Sequence, residues 1–304
     1  MGKFSVMVGS PNDGRCVHPL MAKRLWLNSF DHKTWVVNAG GSGYHFNNLW
    51  AAAMNAGQEG VITHFAMLHA DIEPTDDKPR WLDILIEEME EKKAELVSVA
   101  MPIKGQEGVT SCGFGIENSP WQPYRRFTMR ELKAKEFPKT FNLMDAAKAL
   151  GQQNILGDPA KFHLLHNSGM WVADMRKDCW YHEDENGHAV TFFNFPEAIV
   201  RLPAGVNEGP KAPGFIAKMD GMADLPPPKK PQWMAIRESE DWFFSRRLAE
   251  AGIRNTYITT RAGAFHHGDM AFPNHEAWGE WKNGDENSAI RWREGLEKQE
   301  PAKV

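Results

Sequence analysis

The chain is poor in cysteine: three residues, Cys16, Cys112 and Cys179, spread over 304 positions. Their wide spacing and odd number exclude a disulfide framework and a zinc-knuckle pattern, and a reducing cytoplasm is the simplest compartment for such a chain. Positive charge is not in excess, since 35 Lys and Arg face 40 Asp and Glu for a formal charge of −5. That balance argues against a broad nucleic-acid surface while leaving room for a local basic patch. No segment reaches the roughly 18 consecutive apolar residues of a membrane span. The start, MGKFSVMVGSP, enters a strand at once without the long apolar region of a secretory signal. Internal repeats and low-complexity tracts are absent. Tryptophan, by contrast, is abundant at twelve residues. Trp121, Trp233, Trp278 and Trp281 stand in polar company, where their flat faces could stack on sugars or bases, although core and rim packing is the commoner role.

Strand and helix patterns alternate through the first hundred residues. Lys3 to Val8 reads as a strand running into a turn-rich loop, Gly9 to Gly14, followed by a helix from Pro19 to Ser29. Thr34 to Ala39 is a second strand closed by glycines, and Asn47 to Ala56 a helix. The strand 61–68, the amphipathic helix Trp81 to Glu95 and the strand Leu96 to Pro102 complete this part. Such alternation with short loops predicts a mostly parallel central sheet with helices on both faces. Lys104 to Gly157 is looser and carries a basic cluster, Arg125, Arg126, Arg130, Lys133 and Lys135. Leu164 to Asp174 reads as strand, turn and strand, and Asp184 to Gly187 as the turn of a hairpin. Leu202 to Trp233 is proline-rich and reads as an extended excursion. Glu238 to Gly252 is a helix, and Ile253 to Phe265 a last strand opening into His266-His267-Gly268. The expected organisation is one domain: a nucleotide-binding α/β half over 1–103, a second half with irregular insertions over 104–270, and a peripheral helical tail over 271–304.

The most informative stretch is VITHFAMLHADIEP, residues 61–74, an apolar strand that ends in His69, Asp71 and Glu73. Open α/β sheets bind ligands outside the carboxyl ends of their strands, where helix amino-termini also point. Asp71 and a late histidine, His266 or His267, suit Mn²⁺ or Mg²⁺ held against a diphosphate, since phosphate oxygens and waters complete the octahedron. Strand alternation sends His266 and His267 to opposite faces, so one of them reaches the metal. Asp241, beside Glu240 at a helix start, can take a proton from a hydroxyl that it approaches within about 3 Å. Each motif has a bland counterpart: Asp71 as a turn cap, Glu240 and Asp241 as first-turn acids favoured by the helix dipole, the histidines as packing groups. Pro11 and Asp13 in the first loop are candidates for base or ribose contact, and Asn-Asp-Gly is also an ordinary turn. The Arg125, Arg126 and Arg130 run could clamp phosphates, with a solvated face as its default.

Taken in order, FSVMVGSP, FAMLHADIEPTD, HNSGMWVAD and SEDWFFSRRLAEAG followed by HHG resemble the GT-A-fold nucleotide-sugar glycosyltransferases, particularly the large inverting bacterial and phage group. The resemblance runs over most of Lys3 to Gly268. It implies a GT-A-type single domain in which His69-Ala70-Asp71 stands for the metal-binding D-x-D, Glu240-Asp241 for the E-D pair holding the catalytic base, and His266-His267-Gly268 for the late H-x-G. His69 departs from the pattern, where an aspartate is usual, which puts the nearby ribose contact in question and leaves Asp71 as the direct ligand. The resemblance also places Asn167 and Trp171 beside the donor sugar and acceptor.

The implied activity is metal-dependent, inverting hexosyl transfer from a nucleotide-diphosphate sugar, a UDP-sugar first, to the hydroxyl of a saccharide. A phage-type enzyme acting on a hydroxymethylated base in DNA is a second reading, carried by the Arg125 to Lys139 cluster, Lys229-Lys230 and nearby tryptophans. A binding module that has lost its chemistry and a nucleotidyltransferase are the readings from other classes.

Overall fold

A computed structural model describes residues 4–12, 32–40, 43–77, 79–104, 108–116, 123–152, 159–202, 232–268 and 271–278. Its centre is a seven-stranded sheet built from β1 (Phe4–Asn12), β2 (His32–Gly40), β3 (His64–Leu68), β5 (Leu96–Val99), β8 (Thr140–Phe141), β10 (Met170–Asp174) and β13 (Thr256–Thr259). The order across the sheet is β2-β1-β3-β10-β5-β13-β8. β1, β2 and β3 run parallel, as do β5 and β13, whereas β10 is antiparallel to β3 and β5 on either side and β8 is antiparallel to β13.

Period-two alternation sorts the sheet residues onto two cores. Val6, Val8, Ala66, Leu68, Val97, Val99, Met170 and Val172 pack beneath helix α2 (Trp81–Lys92), which contributes Leu82, Leu85 and Met89. Met7, Phe65, Met67, Leu96, Trp171 and Ala173 face the other way, against helix α1 (Gly43–Gln58) and helix α5 (Glu240–Glu250). Each such aliphatic side chain contributes about 1.5–3 kcal/mol of burial. The aromatic share of this second core is large: Trp50 meets Trp171, Trp180, Phe65 and Phe244 at centroid distances of 5.4–6.0 Å. Phe193 stacks on Phe244 at 4.2 Å.

A third core lies under β6 (Val109–Ile116), β7 (Arg125–Thr128) and β9 (Phe162–Leu165), which form a small antiparallel sheet in the order β7-β6-β9. Two short helices cover it, α3 (Met129–Leu132) and α4 (Leu143–Ala149), each opened by a capping box. A further three-stranded sheet joins β4 (Ile72–Pro74), β14 (Ala264–His267) and β15 (Ala271–Pro273). β11 (Glu197–Leu202) and β12 (Gln232–Arg237) pair as an antiparallel ribbon. Among the described residues, no helix is long and apolar enough to cross a membrane.

Four expectations need correction or rebounding. The sheet is mixed rather than mostly parallel, because the turn at residues 166–169 returns the chain as β10 between β3 and β5. Gly9 to Asn12 belong to β1 instead of a loop, paired with β2 as far as Asn12 opposite Gly40. Pro11 is tolerated there because β3 has already ended opposite Gly9, so a neighbour pairs on one side only. The expected last strand over 253–265 is two strands: after β13 the chain bends at residues 260–263 and leaves the central sheet to pair with β4. An added Cβ on Gly263 would lie 2.7 Å from Thr75 Oγ1, so the close crossing at this bend needs glycine. Residues 271–278 begin the supposed tail, yet they form β15 and a segment whose Asn274 and Trp278 are buried. The 19–29 helix, the middle of the proline-rich excursion and the chain after residue 278 lie outside the described residues, as do Asp13, Trp121 and Trp281.

Candidate active site at the carboxyl ends of β3 and β5

β3 delivers its carboxyl end to the turn His69-Ala70-Asp71, and β4 follows immediately into its pairing with β14. The Asp71 carbonyl accepts from His267 N at 2.8 Å, which fixes the turn to the late strand. His266 Nε2 then lies 3.7 Å from Asp71 Oδ2. Its Nδ1 donates to the Pro102 carbonyl at 2.8 Å. A carbonyl can only accept, so this bond fixes the ring orientation and turns Nε2 toward Asp71, the arrangement that orients metal-ligating imidazoles. His267 points the other way and donates Nε2 to Glu73 at 2.7 Å. Of the two histidines, His266 alone faces Asp71.

Lys104 Nζ forms an ion pair with Asp71 Oδ2. Burial tends to raise the Asp71 carboxyl, but the hydrogen bond and charge of His266, the charge of His69 and the bond from Lys104 outweigh it and hold Asp71 well below the usual carboxylate range. His69 sits beneath this turn with its ring edge-on to Phe46 at 5.0 Å. Its Nε2 is shielded from solvent and has no hydrogen-bond partner. Burial pushes its pKa down to about 4, against the pull of Asp71, so the ring is neutral at neutral pH and carries charge only in the acid range where Asp71 titrates.

The second half of the site is the connection from β9 to β10. Ser168 N donates to Asp241 Oδ1 at 2.8 Å, and Ser168 Oγ reaches Glu240 Oε1 at 3.5 Å. Asn167 uses both ends of its amide, donating Nδ2 to Ser111 Oγ at 2.8 Å and accepting Gly169 N at 2.9 Å. Gly169 lets the turn pack closely: a Cβ there would lie 2.3 Å from Ile72 Cδ1 and 3.0 Å from Asn167 Oδ1, so the Ile72 side chain would have to turn aside. Its carbonyl accepts from His69 N at 2.8 Å, so the two turns are bonded to each other. Trp171 is buried in the core and donates Nε1 to the Ser168 carbonyl at 2.9 Å. Its role in this geometry is to hold the connection, with no face open to a ligand.

α5 starts at Glu240, with Ser239 as its N-cap. Ser245 Oγ donates to the Asp241 carbonyl at 2.7 Å and accepts from His166 N at 2.9 Å. His166 is itself buried between Ser98 and Thr256, and burial lowers its pKa to about 3. Burial pushes Glu240 up to about 8, with the adjacent Asp241 charge adding to it. Burial raises Asp241 as well, opposed by its hydrogen bonds from Ser168 and Ser111 and by the charge of His266. Two acids side by side in a half-buried helix start are costly to stability, and such perturbed pairs concentrate at functional sites.

Asp71, His266, Asn167, Glu240 and Asp241 thus cluster around the two bonded turns, with His69 beneath. His267 and Trp171 face away. Pro11 is buried at the end of β1. Ser111, Ser168, Ser245, His166 and Lys104 were not singled out from the sequence: serines carry no motif, and Lys104 comes near Asp71 only through the fold. The basic cluster is partly committed, since Arg125 pairs with Glu131 and Lys133 Nζ donates to the Thr260 carbonyl at 3.0 Å. Buried Cys112 has its thiol pushed up to about 12, which excludes it as a nucleophile at neutral pH.

A different group at the opposite end of the central strands, His64, Glu90 and Asp174, brings its ligand atoms within 4.8 Å of one another and could hold a metal ion. Arg176 already pairs there with Asp174 at 2.7 Å and Glu90 at 2.5 Å. A metal would have to displace that guanidinium.

No protein-family model and no curated protein matches the chain. Among solved structures, the crystal structure of A197 from STIV is similar at a TM-score of 0.44 and 11% identity, covering 98% of this chain and 97% of that one.

Proposed function

We propose that the chain is a metal-dependent, inverting glycosyltransferase of GT-A type. The observation that carries this reading is the convergence of two unlike acid sites at the carboxyl ends of β3 and β5: Asp71, kept ionised beside His266, and Asp241, half-buried and aimed by Ser168. The α/β architecture, with helices on both faces of its sheet, is compatible with it. A binding module would have no use for the half-buried Glu240–Asp241 pair, whose crowding costs stability and contributes acid–base capacity.

The donor set suits a divalent cation whose remaining ligands are phosphate oxygens and waters: one carboxylate from Asp71 and one imidazole nitrogen from His266, whose other nitrogen is tied to Pro102. A cation bound there would act as a Lewis acid on the diphosphate of a sugar nucleotide, a UDP-sugar as first expectation. Asp241 accepts the proton of a saccharide hydroxyl as that oxygen bonds to the anomeric carbon. The bond from the anomeric carbon to the diphosphate oxygen breaks in the same step, its electron pair leaves with the nucleoside diphosphate, and the anomeric centre inverts. Ser168 N holds the Asp241 carboxylate in place through Oδ1.

The test is nucleoside diphosphate release from UDP-, GDP-, ADP- and CDP-sugars with Mn²⁺, for the native protein beside Asp71→Ala and Asp241→Asn. Release that requires Mn²⁺ and Asp71, and a loss of roughly 10²–10⁴-fold in Asp241→Asn transfer, are the expected results. Absence of release with every donor, together with absence of Mn²⁺-dependent nucleotide binding, overturns the assignment.

A further inference from the structure

Lys104 belongs to none of the motifs that pointed to the site, yet it occupies the centre of it. Its Nζ is paired with Asp71 Oδ2, and the two side chains are 39% and 38% exposed, so the pair lies at an open surface. The approach is built in. Lys104 follows the Pro102 carbonyl that orients His266. Its aliphatic stem lies along Gly268, where an added Cβ would stand 3.2 Å from Lys104 Cδ and 3.4 Å from its Cβ and Cγ. A side chain at position 268 would make the stem give by a few tenths of an ångström, so glycine there lets the stem lie close. Lys104 brings its ammonium directly against Asp71.

A carboxylate already neutralised by a tethered ammonium is a poorer ligand for a free cation, because the incoming charge must either displace the ammonium or bind beside a like charge. An ammonium on a flexible four-carbon stem, once displaced, is a ready partner for phosphate oxygens. We propose that Lys104 is a switching cation of the diphosphate subsite. It competes with the divalent ion for Asp71, and when released from Asp71 it binds the phosphates of the nucleoside diphosphate. This rests on the metal and diphosphate assignment above and adds a second positive charge to it, one that belongs to the chain.

The two ligands respond in opposite directions, which separates this role from a structural one. Mn²⁺ binding is read by electron paramagnetic resonance without nucleotide, and UDP binding by calorimetry with saturating Mn²⁺ and again with EDTA. The native protein, Lys104→Met, Lys104→Arg and Asp71→Ala are compared, with folding checked by circular dichroism. Lys104→Met is expected to bind Mn²⁺ roughly threefold to tenfold more tightly, the scale of an exposed ion pair plus a removed like charge. The same variant is expected to bind UDP roughly tenfold more weakly in both conditions, with Lys104→Arg retaining UDP binding. Mn²⁺ affinity that is unchanged or weaker in Lys104→Met, while Asp71→Ala still abolishes it, overturns the role of Lys104 and leaves the metal site standing. Mn²⁺ binding that is insensitive to both Asp71 and Lys104 overturns both. UDP binding indifferent to Lys104 likewise overturns the phosphate half of the proposal.

Discussion

Replacing Glu240 with Gln should make the folded chain more stable at high pH than the native protein. Burial and the neighbouring Asp241 charge move the Glu240 carboxyl from an ordinary 4.5 up to about 8. The folded state therefore binds this proton more tightly than the unfolded chain does. Its contribution is fully present below about pH 4.5 and is lost as pH rises toward 8, since folding then has to keep a proton that the unfolded chain has released. The full displacement corresponds to a ceiling of about 5 kcal/mol at 1.36 kcal/mol per pH unit. Because Asp241 titrates with Glu240 as a pair, the proton uptake is divided between them, and removing one partner should recover about 2 kcal/mol. Gln keeps the shape, can accept the Ser168 hydroxyl, and cannot ionise. The assay is urea or thermal unfolding from pH 5 to pH 9. The two proteins should be nearly equal at pH 5, and Glu240→Gln should melt roughly 5 °C higher at pH 9, given about 2–4 °C per kcal/mol for a chain of this size. An identical margin at both ends of the range would refute the reasoning, because it would mean that Glu240 does not titrate on folding.

The connection from β9 to β10 offers a kinetic counterpart. Asn167→Ala removes the bonds to Ser111 and Gly169, and should lower kcat for transfer about 10²-fold with little change in donor KM, as expected for misplacement of about 1 Å; equal loss in kcat and gain in KM would place Asn167 on the donor instead. Gly113→Ala should destabilise by about 3 kcal/mol or more in urea unfolding, because its Cβ would lie 2.0 Å from the Arg125 carbonyl oxygen, a backbone atom that cannot turn aside. A cost below 1 kcal/mol would contradict the close approach of β6 and β7.

Much of the frame was legible because buried strands carry a clear signature. Val6 to Val8, Phe65 to Leu68 and Leu96 to Val99 alternate or run apolar in the way a two-faced sheet demands, and Trp81 to Met89 repeat at helical spacing. β10 was readable as a strand but not in its direction. Direction is set by the turn Asn167 to Gly169, whose consequence depends on Gly169 fitting against Ile72, a contact 97 positions away in sequence. The bend after β13 was hidden for the same reason: Gly263 yields to Thr75, and nothing near Gly263 says so. Asp71, Glu240, Asp241 and His266 could be named because their residue types fall at element ends, where chemistry collects. The serines that aim the acids, and Lys104 opposite Asp71, could not, since their meaning lies wholly in long-range hydrogen bonds and ion pairs.

Two aspartates in one crevice show how that long-range placement divides labour. Asp71 is half exposed and ringed by Lys104, His266 and His69, so its carboxylate stays charged far into acid. Asp241 is half-buried at the start of α5 with Glu240 beside it, so its affinity for a proton rises. Under the proposed function the same side chain is thereby fitted to cation binding in one place and to proton acceptance in the other, since environments that push such groups apart mark separate roles. The bonds that enforce the difference run through the adjoining turns, His69 N to Gly169 O on one side and Ser168 N to Asp241 on the other. A change in the β9–β10 turn therefore acts on both acids at once, whereas a change at Lys104 acts first on Asp71. Comparing Asn167→Ala with Lys104→Met for Mn²⁺ affinity and for the pH dependence of transfer would expose that asymmetry: Asn167→Ala should alter both, Lys104→Met chiefly the first.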